Sequence, residues 1–205
     1  MLTRVSTPIF SLDSANLSLD FANTIDPRRG PHVVDKLASY ADLIAFAHQA
    51  GLLDTGAIDQ LLRWAEQRPF QAQAIHARAV ALREAIFGVA SAIATGSDPD
   101  QRDLDLLASE QVAALGHARL AVTSNGFTWA WDADAHPERP LWPIALAATD
   151  LLTTHDLGRL RICAADDCDW LFYDTSRNQS RKWCDMSTCG NRAKVARYRK
   201  AVKGS

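Results

Sequence analysis

The cysteines are the residues of this chain whose type and spacing most directly suggest chemistry. All four lie in the last 43 of 205 residues, at Cys163, Cys168, Cys184 and Cys189. They form two pairs with the same internal spacing, Cys-x4-Cys, and fifteen residues separate the pairs. Two such pairs can close a tetrahedral shell of thiolates around a zinc ion. Since four protein ligands leave no open position, we expect a structural zinc site rather than a catalytic one.

The sequence alone leaves other roles for the four cysteines open. An iron-sulfur cluster also takes four thiolates, but its usual spacings differ from two equal pairs. Two disulfides would require an oxidising compartment, whereas the sequence favours the cytoplasm. His155 lies eight residues before Cys163 and could replace one thiolate. Zinc is favoured because a segment of roughly 45 residues buries too little apolar surface to fold without metal ligation.

The charge of the chain is divided between its two parts. Before Arg159 there are 11 basic and 19 acidic residues, and from Arg159 onward there are 11 basic and 5 acidic residues. From Thr175 onward, nine basic residues stand against Asp185 alone, a net charge of +8. This asymmetry predicts a polyanionic partner, double-stranded DNA above all, and the alternative is that the tail folds back on the acidic body. The candidate contacts are Arg181, Lys182, Arg192, Lys194, Arg197, Arg199, Lys200 and Lys203.

The spacing of apolar residues predicts a mainly α-helical body with short hairpins. Residues 17–22 fit either a strand or a helix. Helices are expected from Ser39 to Gly51, from Thr55 to Pro69, around Ile75 to Gly96, after an N-cap at Asp98, and over Ile144 to Leu152. Between Arg119 and Trp131 the period changes to 2 around Asn125-Gly126, which predicts a β-hairpin. We expect a helical domain, residues 1–155, and a cysteine module, residues 156–205.

Motifs around the last cysteine pair carry a family resemblance. Cys189-Gly190-Asn191-Arg192 follows Arg181-Lys182-Trp183-Cys184, and Phe172-x-Asp174-x-Ser176 precedes both. With Cys163-x4-Cys168, these motifs resemble the CGNR zinc finger over about the last 45 residues. The resemblance implies a treble-clef-like finger that binds Zn²⁺ and presents the basic helix to DNA. One departure is Lys182, where the family more often has a second arginine, so a bidentate fork is lost.

The first part of the chain also resembles a known domain. The motifs are Leu19-Asp20-Phe21-Ala22-Asn23-Thr24, Ala50-Gly51-Leu52 and Pro140-Leu141-Trp142-Pro143-Ile144-Ala145. They resemble the ABATE domain, which usually precedes the CGNR finger. The resemblance implies a bacterial regulator of stress-linked transcription whose N-terminal domain senses a small molecule.

Polar residues of the first loop are the candidates for binding a small-molecule effector. They are Asp20, Asn23 and Arg28, and Trp142 could line a pocket of its own. The alternative is that these polar groups hold the loop by hydrogen bonds to backbone. Catalysis is not expected, because the sequence has no phosphate-binding loop, nucleophile elbow or His-Glu-x-x-His motif.

The expected function is therefore that of a DNA-binding transcription regulator in the cytoplasm. No apolar run approaches the roughly 20 residues that a membrane span needs. A single finger would read few bases, which favours a homodimer. The alternative function is an interaction module, without catalysis, whose finger binds a protein or structured RNA.

Overall fold

The computed structural model describes residues 8–131 and 136–203, with the side chains at 196, 197 and 200–203 outside the description. The helices are α1 Leu17–Ala22, α2 Tyr40–Gln49, α3 Thr55–Gln67, α4 Pro69–Thr95, α5 Gln101–Gly116, α6 Leu141–Thr154 and α7 Asn191–Lys203. The strands are β1 Arg119–Thr123, β2 Gly126–Ala130, β3 Leu160–Ile162 and β4 Leu171–Tyr173. A 3-10 turn, Leu157–Arg159, precedes β3, and a π-helical turn, Met186–Gly190, leads into α7. The mainly α fold class with short antiparallel hairpins is confirmed.

Local signals place most helix ends where the sequence predicts them. The Ser39 hydroxyl accepts from the amide of Asp42 at the start of α2, and α4 ends at Gly96 in the left-handed conformation. Residues 17–22 form a helix because Asn16 caps them through the amide of Ser18. The predicted N-cap of α5 is wrong, since Asp100 and not Asp98 accepts from the first-turn amide.

The core is built around α4, the longest helix. It packs against α1, α2, α3, α5 and α6. Phe21 of α1 and Phe46 of α2 are fully buried and meet edge to face with ring centroids 5.1 Å apart. Helix α6 is apolar on most sides, as predicted, because it lies between α1 and α5. Within the described residues, no helix is long and apolar enough to cross a membrane.

The hairpin β3–β4 belongs to the same core. It pairs Leu160 with Tyr173 and Ile162 with Leu171, and Leu160 and Leu171 are buried among the side chains of the helical body. Strand β3 packs on α4, and β4 packs on α1. The chain segment that begins the cysteine module is therefore covered by the body.

A polar contact locks this hairpin to α1. The Asn23 amide donates to the carbonyl oxygen of Leu171 at 2.8 Å and accepts from the Leu171 amide at 2.9 Å. The Tyr173 amide donates to the carbonyl of Ser14 at 2.9 Å. Asn23 thus acts as an extra strand residue for the outer edge of β4, and it satisfies both backbone groups of a buried position.

Candidate metal centre and nucleic-acid interface

The four cysteine sulfurs converge on one point. Their Sγ atoms all lie within 4.8 Å of one another, and all four residues are buried. The Sγ of Cys184 lies 3.7 Å from that of Cys168 and 3.6 Å from that of Cys189. Four sulfurs placed about 2.3 Å from a tetrahedral ion are about 3.8 Å apart. The spacing therefore fits one tetrahedral metal ion, and the predicted ligands come together.

Backbone hydrogen bonds hold the first cysteine pair. Cys163 follows β3, and its amide donates to the carbonyl of Trp170 at 2.8 Å. The Ala164 amide donates to the carbonyl of Lys182 at 2.9 Å, which joins the first cysteine loop to the segment before Cys184. From the body, the Arg28 amide donates to the carbonyl of Cys168 at 3.1 Å. Both the finger and the body thus fix the positions of these ligands.

Asp174 organises the loop between the cysteine pairs. Its buried carboxylate accepts from the amide of Ser176 at 2.9 Å and from the amide of Arg181 at 3.0 Å. Burial works against its ionised form, but the hydrogen bonds from Ser176 and Arg181 prevail and lower the pKa of Asp174. The motif Phe-x-Asp-x-Ser is explained by this contact. Sequence reasoning used the motif only as a family signal and missed its structural role.

Two of the predicted DNA-binding arginines are engaged inside the finger. Arg181 lies over the Phe172 ring, 4.6 Å from its centroid, and donates to the carbonyls of Trp183 and Cys184. Arg192 donates to the Cys189 sulfur at 3.1 Å and to the Asp167 carboxylate at 2.9 Å. The hydrogen bond to Cys189 raises the pKa of Arg192. These contacts support positioning roles for both arginines beside the metal ligands.

The turn that carries the last ligand passes close to two side chains at a glycine. The Asp185 carboxylate caps it by accepting from the Ser187 amide at 2.9 Å, and the amide of Gly190 closes it on the carbonyl of Asp185 at 3.0 Å. A Cβ at Gly190 would lie 2.9 Å from the Met186 sulfur and 3.2 Å from the Trp183 ring. Gly190 thus lets the turn pass closely under these side chains, directly before α7 begins.

The other cations lie on or near α7. Among the described side chains, Lys182, Lys194 and Arg199 are exposed. Arg197, Lys200 and Lys203 are in α7, but their side chains lie outside the described residues. Two apolar residues of this helix are also open to solvent, since Val195 is 46% and Tyr198 is 70% exposed. The main contact of α7 is with the turn before it, and all of its described side chains except that of Ala193 are exposed.

Two of the candidate effector-binding residues have hydrogen-bond partners within the chain. Asp20 is buried and accepts from the amide of Ser14 at 2.9 Å and from its hydroxyl at 2.6 Å. Burial raises the pKa of Asp20. Asn23 has both of its hydrogen-bonding ends on Leu171. The contacts favour the alternative in which these side chains hold the loop.

The other two candidates lie in different surroundings from each other. Arg28 donates to the carbonyl of Ala22 at 2.8 Å and pairs with Glu84 at 2.9 Å, and burial lowers the pKa of Arg28. Trp142 is buried and stacks on His117 with ring centroids 4.4 Å apart. Its indole N–H has no hydrogen-bond partner within the part of the chain that the structure describes. The contacts given for Arg28 and for Trp142 thus have no partner in common.

A cleft opens beside the metal centre. Its volume is about 870 Å³, and it is bounded by residues of the first loop on one side and by the finger and α7 on the other. Asp13 and Asp26 line it from the body, while Trp170, Arg192 and Arg199 line it from the finger. The sequence did not predict this cleft, because its two walls are distant along the chain.

Comparison with known families gives two matches. Residues 159–201 match the CGNR zinc finger. Residues 15–155 match the ABATE family, described as "Putative stress-induced transcription regulator". Among curated proteins, none matches the chain. Both matches follow the order that the motifs indicated, and the ABATE match alone spans more than half of the 205 residues. The chain therefore belongs to the ABATE family and carries a CGNR zinc finger after the ABATE segment.

Proposed function

We propose that this protein is a zinc-dependent, DNA-binding transcription regulator. In this proposal the four cysteines hold Zn²⁺, the ion fixes the turn Met186–Gly190, and that turn holds α7 against duplex DNA. The observation that carries the proposal is the direct connection between the last metal ligand and a basic, outward-facing helix. Cys189 lies in the turn on which α7 packs.

The donor set supports zinc as the ion. Four thiolates in tetrahedral spacing are the ligands of structural zinc sites, whereas magnesium and calcium take oxygen ligands. The surroundings of the ligands also fit zinc, because the Arg192 guanidinium donates to a ligand sulfur and offsets the excess negative charge of four thiolates on a divalent ion. The zinc supplies folding free energy, and the residues themselves set the direction of α7.

The exposed cations support a nucleic-acid partner. Lys194 and Arg199 project from α7 without burial, and the segment from Thr175 onward has a net charge of +8. Lysine anchors a phosphate as a point charge, while arginine can also read guanine by a bidentate contact. A surface of this kind binds duplex DNA mainly through phosphates, so its affinity depends steeply on salt.

The cleft supports control by a small-molecule effector. An effector bound in the cleft of about 870 Å³ would touch both the first loop and the finger. The indole N–H of Trp170, which lines the cleft, has no partner within the described residues. Because this N–H is itself buried, a molecule in the cleft would reach it only after the Trp170 ring moved, and that movement would change how the finger lies on the body.

The test is fluorescence anisotropy with the zinc-loaded protein and labelled duplex DNA. If the protein contacts six to eight phosphates, the affinity falls by about 10³-fold or more between 50 and 200 mM salt. The double variant Lys194→Ala/Arg199→Ala is expected to bind more weakly and to lower the slope of log affinity against log salt by about 2.

The matched control removes two exposed arginines from the body. Arg63→Ala/Arg102→Ala, on α3 and α5, changes the net charge by the same amount and should leave the salt slope unchanged. If both double variants lose the same DNA affinity, the effect comes from net charge alone, and α7 is rejected as the contact surface. Stronger binding to structured RNA than to duplex DNA would favour the RNA-interaction module instead.

A further inference from the structure

The hairpin β1–β2 has one uncovered apolar face. Its register pairs Leu120 with Trp129 and Val122 with Phe127. Because residues directly opposite each other in an antiparallel pair point to the same side, these four side chains share one face. Their exposures are 63% for Leu120, 47% for Trp129, 80% for Val122 and 76% for Phe127. Large apolar side chains that are contiguous and exposed mark an interaction surface.

This face continues onto the helical body. A groove of about 430 Å³ is lined by Trp129 of the hairpin, Leu115 of α5 and Leu146 and Ala147 of α6, together with four polar side chains. Trp129 therefore belongs both to the hairpin face and to the wall of the groove. The hairpin and the groove form one continuous surface, which we call the hairpin surface.

The charge of the surroundings favours a second copy as the partner. No residue from Leu120 to Trp131 is charged, whereas the chain before Arg159 carries 19 acidic and 11 basic residues. Two acidic bodies repel one another over most of their surfaces. Asp150 lines the groove, but the hairpin face itself is uncharged and apolar, so two copies can approach through it without that cost.

The area of the hairpin surface matches what a homodimer needs. Scaled by their exposures, the four hairpin side chains and Leu115 present roughly 500 Å² of apolar surface. A standard interface buries roughly 800 Å² on each partner, of which about 65% is apolar in homodimers. The apolar part of such an interface is therefore also roughly 500 Å² on each protomer, which is the area that the exposed apolar side chains supply.

We propose that the hairpin surface is the interface of a two-fold symmetric homodimer. In such a dimer the same patch serves on both protomers. The exposed tip of each hairpin, Val122 and Phe127, enters the groove between α5 and α6 of the other copy. The dimer holds two fingers on one assembly, which would allow two DNA half-sites to be contacted together.

Sedimentation equilibrium of the zinc-loaded full chain tests this proposal without DNA. The wild type should be dimeric at 10 µM, as expected for an interface of standard size with an apolar centre. Val122→Ser/Phe127→Ser should raise the dissociation constant at least 100-fold, because two apolar contacts are lost and each is counted twice by symmetry. Both side chains are exposed, so circular dichroism should show an unchanged helical fold.

The control is Phe70→Ser, which removes an even more exposed phenylalanine, 86% exposed, from the start of α4. It should leave the dimer intact. A second disruptive variant, Val122→Asp, places a carboxylate in the groove that Asp150 lines in the other copy, and the effect of this repulsion should weaken as salt is added. A monomeric wild type at 100 µM, or a dimer that survives both hairpin variants or dissociates equally in Phe70→Ser, would overturn the proposal.

Discussion

Replacing Asn23 by alanine should destabilise the whole protein, although Asn23 touches neither the metal ligands nor the basic helix. The substitution leaves the amide and the carbonyl of Leu171 without their partners at a position that is fully buried. Each buried backbone group left unpaired costs about 1–3 kcal/mol, so the expected loss in the free energy of unfolding is about 3 kcal/mol. For a domain of this size, this loss corresponds to a fall in melting temperature of about 6–12 °C.

The assay is urea unfolding of the zinc-loaded protein, followed by circular dichroism at 222 nm. Asn178→Ala, which changes an exposed asparagine in the finger, is the control and should stay within about 0.5 kcal/mol of wild type. Asn23→Asp keeps an acceptor for the Leu171 amide but buries a carboxylate against the Leu171 carbonyl oxygen, so at neutral pH it should be at least as destabilising as Asn23→Ala. If Asn23→Ala and Asn178→Ala unfold at the same urea concentration, the argument that α1 and β4 share a common core is refuted.

Two further predictions concern the metal turn and the pH dependence of stability. Gly190→Ala should weaken zinc retention in a chelator competition, because its Cβ presses on Met186 and on the Trp183 ring. The cost lies at the lower end of about 1–3 kcal/mol, since the exposed Met186 side chain can move aside, whereas Gly116→Ala, with open space around its Cβ, should have no effect on zinc retention. Burial raises the pKa of Glu84, but the hydrogen bond from Arg28 prevails and lowers it. The Glu84 carboxylate therefore stabilises the fold above the unfolded pKa of about 4.3 and loses that contribution as the pH falls, so the stability gap between wild type and Glu84→Gln should narrow from about pH 5 to pH 3. A gap that stays constant over this range would contradict the assigned ion pair.

Local chemistry explains what the sequence alone could predict. A cysteine pair restricts its own loop, a capping serine fixes a helix start, and Asn125-Gly126 marks the hairpin, so each signal acts within a few residues. The turn itself lies one residue earlier than predicted, at Ser124 and Asn125, because Gly126 pairs with Thr123 as the first residue of β2. Pro69 illustrates the limit of such signals. It ends one helical pattern, as predicted, and it also begins α4 as the first residue of that helix.

Contacts between distant segments could not be predicted in the same way. Asn23 lies 148 residues from its partner Leu171, and nothing in the type of either residue indicates the other. The cleft beside the metal centre and the groove beside Trp129 also arise from packing of elements that are far apart in the chain. The hydrogen bond from Arg192 to Cys189 is an intermediate case, since the two residues are only three positions apart but the turn geometry is what brings them together.

The sharing of β3 and β4 with the helical core limits how this finger can be moved between proteins. If residues 159–201 were grafted onto an unrelated carrier, Leu160 and Leu171 would become solvent-exposed. The ABATE segment left behind would expose the surfaces of α1 and α4 that the hairpin covers in the full chain. Neither fragment is expected to fold stably on its own. A chimera that exchanges fingers would also need Asn23 and the surfaces of α1 and α4 that contact the hairpin.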